Sequence, residues 1–97
     1  METQVCQHYN EPPITIGEVV TALKKQHLNA THENAVWGDW INFPGKQTVI
    51  SIESQNGLTT KATIEQAEGE DEIYSACIDA FRKLGWQGND ADGLYNL

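Results

Sequence analysis

The feature that most constrains this chain is a stripe near its C-terminal end. Ile73, Ala76, Cys77, Ala80, Phe81 and Leu84 fall at i, i+3, i+4, i+7, i+8 and i+11 without a miss. A helix brings these side chains onto one face, and a face so apolar has to be covered by something else in the chain. The flanking charges fit the same element. Glu70, Asp71 and Glu72 stand where the helix dipole is positive, Arg82 and Lys83 where it is negative. Gly85 followed by Trp86 supplies a left-handed stop with an apolar contact behind it, so the helix is expected to end near Leu84.

A second helix is written earlier. Thr15 and Glu18 have the spacing of a capping box, Ile14 and Val19 that of a hydrophobic staple. Ile16, Val19, Val20, Leu23 and His27 then recur at helical intervals, which places this helix from about Ile16 to about Leu28.

Between the helices, Phe43-Pro44-Gly45-Lys46 and Gln55-Asn56-Gly57 separate three strand-like segments, and the Asn-Gly pair favours a tight hairpin turn. In the second segment Ile50 and Ile52 oppose Val49, Ser51 and Glu53. In the third, Leu58, Thr60, Ala62 and Ile64 read as one face, and Thr59, Lys61, Thr63 and Glu65 as the other. The expected fold is therefore α+β: a helix, a three-stranded antiparallel meander and a helix, with both helices on one sheet face. Residues 1–13 lack periodicity and close on Pro12-Pro13, which marks them as a flexible arm. Residues 14–86 form the expected domain and residues 87–97 an acidic tail.

Charge narrows the function. The formal charge is −8, and it is uneven: residues 1–64 hold six acids and four bases, residues 65–97 eight acids and two bases. Such a chain repels nucleic-acid phosphates, so no direct nucleic-acid binding is expected. The chain opens without a basic segment and strings together no more than three apolar residues, so neither a signal peptide nor a membrane span is expected. With only Cys6 and Cys77, far apart, a reduced cytoplasmic setting follows, with Cys77 a core residue and Cys6 a free thiol.

Catalytic and metal motifs are not found. His32-Glu33-Asn34-Ala35 begins like a zinc-protease helix, but Val36 stands where the second histidine ligand is required. The C-terminal acids lack the alternating loop that calcium needs. There is no glycine-rich phosphate loop, no nucleophile elbow and no spaced pair of catalytic carboxylates, so no enzyme, metal or cofactor is expected. Trp37-Gly38-Asp39-Trp40 is the most unusual short stretch. In a regular strand the two indoles would project to opposite faces, whereas a bulge at Gly38 would turn both inward.

The order helix, three strands, helix resembles the double-stranded-RNA-binding fold, but Glu70, Asp71 and Glu72 stand where that family carries phosphate-gripping lysines. The run Ile78-Asp79-Ala80-Phe81-Arg82-Lys83-Leu84-Gly85-Trp86, followed by Asp90 and Asp92, resembles the small acidic anti-CRISPR inhibitors that phages use against RNA-guided nucleases. That resemblance extends in layout from Ile14 to Asn96, and it implies an inhibitor that occupies a DNA-binding surface. The leading expectation is a non-enzymatic binder of a basic protein surface. Glu68, Glu70, Asp71, Glu72, Asp79, Asp90 and Asp92 would supply the charge, with Trp37 or Trp40 as apolar anchor. Two alternatives share the chain: a small ligand- or carbohydrate-binding domain using Trp37, Asp39, Trp40 and Asn42 on an open sheet face, and an immunity protein or antidote.

Overall fold

The computed structural model describes residues 1–97. Both helices form where their caps place them. The first, α1 (Ile16–Lys25), opens on the Thr15 and Glu18 capping box: the Thr15 hydroxyl accepts from the Glu18 amide at 3.1 Å, and the Glu18 carboxylate accepts from the Thr15 amide at 2.9 Å. It ends a turn earlier than its periodicity suggests. His27 adopts φ 64°, and the amides of His27 and Leu28 turn back to the carbonyls of Lys24 and Leu23. His27 is thus the left-handed residue of a Schellman cap and not a member of the apolar stripe. The second, α2 (Asp71–Lys83), closes the same way. Trp86 donates to the Phe81 carbonyl at 3.0 Å across Gly85, whose φ is 84°, and the two rings pack with centroids 5.1 Å apart.

The sheet overturns the expected three-stranded meander. It has eight strands: β1 (Glu2–Cys6), β2 (Ile14–Thr15), β3 (Thr31–Ala35), β4 (Gly38–Asn42), β5 (Val49–Gln55), β6 (Leu58–Glu65), β7 (Gln87–Asp90) and β8 (Gly93–Asn96). All pairings are antiparallel, in the order β3-β4-β5-β6-β1-β7-β8, with the short β2 also on β6. The predicted strands are β4, β5 and β6. Residues 2–6, read as part of a flexible arm, instead lie between β6 and β7, and residues 87–97, read as a tail, carry a hairpin. These segments are short and polar, so their strand state comes from pairing with neighbours and not from their own periodicity. The helix–three strands–helix layout behind both resemblances is therefore not the one observed.

Both helices cover one sheet face. Val5, Ile41, Ile50, Ile52, Ala62 and Ile64 meet Ile16, Val19 and Leu23 of α1 and Cys77, Ala80 and Phe81 of α2 in a single core. One predicted face is corrected here. Thr60 is an extra residue between the pairs Glu53/Lys61 and Ser54/Thr59, and this bulge turns Thr59 inward, where it is buried. The Thr59 hydroxyl is satisfied locally, donating to the Glu53 carbonyl at 2.7 Å and accepting from the Lys61 amide at 3.2 Å. Leu58 is left exposed in exchange.

Candidate functional site

Three regions hold the residues singled out in the sequence. The first is one end of the sheet. Glu2 and Glu65 face each other across β1 and β6, Asp90 ends β7, and Asp92 lies in the β7–β8 turn. The start of α2 is brought to the same end because Glu70 is tied to the segment leading into β5. Glu68, Asp71 and Glu72 follow it there. Eight of the fourteen acids thus gather at one end of the molecule, from four separate stretches of chain.

These carboxylates are not equivalent. Glu70 accepts from the Thr48 hydroxyl at 2.6 Å, the Thr48 amide at 2.8 Å and the Gln47 amide at 3.2 Å. The Thr48 hydroxyl, those amides and the charge of Lys46 outweigh desolvation and hold its carboxyl below the ordinary carboxylate value. Glu70 therefore fastens α2 to the sheet and is occupied within the fold. Asp71 accepts from Gln66 Nε2 at 2.7 Å, and Asp90 accepts from the Asp92 amide at 2.8 Å, shaping the hairpin turn. Glu68, Glu72 and Asp92 are exposed and keep their carboxylates free. Asp79 pairs with Arg82 one turn along α2.

The second region is the open sheet face. Trp40 lies on it, and Trp37, 53% exposed in the β3–β4 turn, meets Trp40 edge-on at 5.9 Å and 79°. Neither indole turns inward, because residue 37 belongs to the turn and the regular strand starts only at Gly38. Gly38 itself sits against β5: a Cβ there would fall 2.3 Å from the Ile52 carbonyl oxygen. The Trp40 indole N–H donates to Asn42 Oδ1 at 2.7 Å, and the Asn42 amide donates to Glu33 at 3.2 Å, fixing the ring. Trp37 lies toward the sheet end opposite the acids, so the structure does not bring the proposed apolar anchor and the acidic residues together.

The third region corrects the expectation that Asp39 stands with Trp37, Trp40 and Asn42 on the open sheet face. Asp39 points to the helix-covered side and is 3% exposed, with carboxylate oxygens accepting from His32 Nε2, Asn34 Nδ2 and Ser54 Oγ. Burial pushes its carboxyl up, but hydrogen bonds from Ser54, His32 and Asn34, with the charge of His32, outweigh burial and hold it below its ordinary value. Serine, aspartate and histidine meet here, but both Ser54 and His32 bind the carboxylate. The hydroxyl does not reach the imidazole, so the relay that activates a nucleophilic serine is not assembled. The only sequence signal was parity: Asp39 shares a face with Ile41.

Cys6 and Cys77 are both free thiols, and burial of Cys77 pushes its pKa up to about 12, so it stays protonated and inert. No group of three or more potential metal ligands is assembled, and no helix is long and apolar enough to cross a membrane. Comparison with protein-family models, with curated proteins and with solved structures gives no match. The functional reading therefore rests on the residues themselves.

Proposed function

We propose that this protein is a non-enzymatic binder whose acidic sheet end docks onto a basic surface of a partner protein, of the kind that otherwise holds nucleic-acid phosphates, and so acts as an inhibitor. The observation that carries this reading is the gathering of eight carboxylates at one end by strand register and by the Glu70 tether. The direct pairing of Glu2 with Glu65 is unfavourable on its own terms, since like charges opposed across strands destabilise a sheet. A surface that tolerates this repulsion gains long-range attraction for a cationic partner, which speeds encounter and weakens with salt.

The carboxylates assigned to contact are Glu68, Asp71, Glu72, Asp90 and Asp92. Glu70 holds them in place and Asp79 lies farther along α2. The test is affinity capture from the native host at low and high ionic strength, followed by titration of the captured protein against the wild type and a Glu68→Lys/Asp71→Lys/Glu72→Lys variant. The expected result is a basic partner released by salt, with affinity lowered at least about tenfold by the triple reversal. Unchanged affinity in a folded variant would sink the reading.

A further inference from the structure

The open face carries a second surface that differs from the acidic end in both chemistry and place. Strand register sets six residues in a line across this face: Trp40 on β4, Ser51 on β5, Thr63 on β6, Gln4 on β1, Asn89 on β7 and Leu94 on β8. With neighbouring strands about 4.8 Å apart, the line runs for roughly 24 Å. Between Trp40 and Leu94 no member of the line is charged; Glu33, which accepts from Asn42, closes it on β3, and the pairs Glu2–Glu65 and Glu53–Lys61 flank it on either side. Ser51, Thr63, Gln4 and Asn89 make no side-chain hydrogen bond within the fold, while the rings at the head of the line are fixed by Asn42 and by each other. Four unengaged hydroxyl and amide groups in a row, headed by a half-exposed indole, offer stacking at one end and donors and acceptors along the rest.

Charge selects the occupant. An anionic chain is repelled by the net −8, and a cationic one is drawn to the carboxylates at the sheet end. A neutral, extended polyhydroxylated chain matches an uncharged row with an aromatic platform. We infer that the open face is a binding site for a linear neutral oligosaccharide, laid across the strands with one sugar ring on Trp37 and its hydroxyls bonded to Ser51, Thr63, Gln4 and Asn89.

The test is titration calorimetry with tryptophan fluorescence against cello-, malto-, xylo-, manno- and N-acetyl-chito-oligosaccharides, with a heparin oligosaccharide as the anionic comparison. Saturable binding of at least one neutral oligomer is expected, weakened about tenfold or more by Trp37→Ala. Gln4→Ala/Asn89→Ala, at the far end of the row, should weaken long oligomers more than short ones. The Glu68→Lys/Asp71→Lys/Glu72→Lys variant should bind the sugar as the wild type does, which separates this site from the acidic end. No saturable binding by any neutral oligomer, equal binding of heparin, or full affinity in a folded Trp37→Ala protein would each overturn the inference.

Discussion

At the scale of single residues, one buried carboxylate is held by three side chains and used by neither proposed surface. Asp39 joins three strands at once, drawing His32 and Asn34 from β3 and Ser54 from β5 onto a buried group of β4. Hydrogen bonds to a charged acceptor are worth more than neutral ones, and removing the acceptor also leaves its donors without partners. Asp39→Ala is therefore expected to lower the unfolding free energy by about 2–3 kcal/mol at neutral pH, read from urea midpoints at constant slope. The sign of the pH dependence follows from the depressed carboxyl. Its stabilisation is fully present above the ordinary value of 3.8 and is lost as pH falls through the lower value of the folded state. The gap between wild type and variant should close in acid below that point. A gap that persists undiminished would mean that shape, and not charge, holds the cluster.

At the scale of elements, helix ends are where local sequence speaks most directly. Both helices finish in a Schellman cap, but α2 places Gly85 at the left-handed position and α1 places His27 there, with φ 64°. A side chain in that conformation is strained where glycine is not, so His27→Gly should stabilise the protein by about 0.5–1 kcal/mol, seen as a raised melting temperature. The helices were legible because their signals lie within a few residues: Thr15 with Glu18, Gly85 with Trp86, and an unbroken apolar stripe. The strands β4, β5 and β6 were legible through their turn residues and the parity of Ile50 and Ile52. By contrast, β3 is Thr-His-Glu-Asn-Ala, an exposed edge strand, and β7 and β8 are rich in Gly, Asn and Asp. β3 pairs only with β4 and β8 only with β7, each across a two-residue turn, but no apolar alternation marks them as strands. The strand that ties the β7–β8 hairpin to the sheet, β1, lies far away in sequence. For the same reason the acids were recognisable as a C-terminal excess, but their meeting with Glu2 was not. Likewise Ser51 and Thr63 could be placed on an outer face, whereas Gln4 and Asn89 joined their line only once β1 and β7 had taken their places.

At the scale of the whole molecule, the N-terminal residues hold the sheet in one piece. β1 is bonded on one side to β6 and on the other to β7, and β7 has no other neighbour except β8. Val5 is fully buried in the core, and the Thr3 hydroxyl meets the Tyr74 hydroxyl of α2 at 2.9 Å. Removing residues 1–6 would leave β6 and β7 about two strand spacings apart, roughly 10 Å, a gap that no backbone hydrogen bond can span. The β7–β8 hairpin would then have no sheet to join, and two strands alone are marginal in water. Deletion of these residues is therefore expected to abolish cooperative thermal unfolding. Val5→Ala, which keeps the strand and removes two buried methyl groups, should cost only about 2 kcal/mol. A dispensable arm would give a truncated protein that melts like the wild type, so circular dichroism of the two variants decides the point. The same dependence reaches both proposed surfaces. β1 supplies Glu2 to the acidic end and Gln4 to the neutral row, and it holds β7 where Asp90 and Asn89 complete them. Loss of one five-residue strand should therefore disable both surfaces together, whereas the point variants of each leave the other intact.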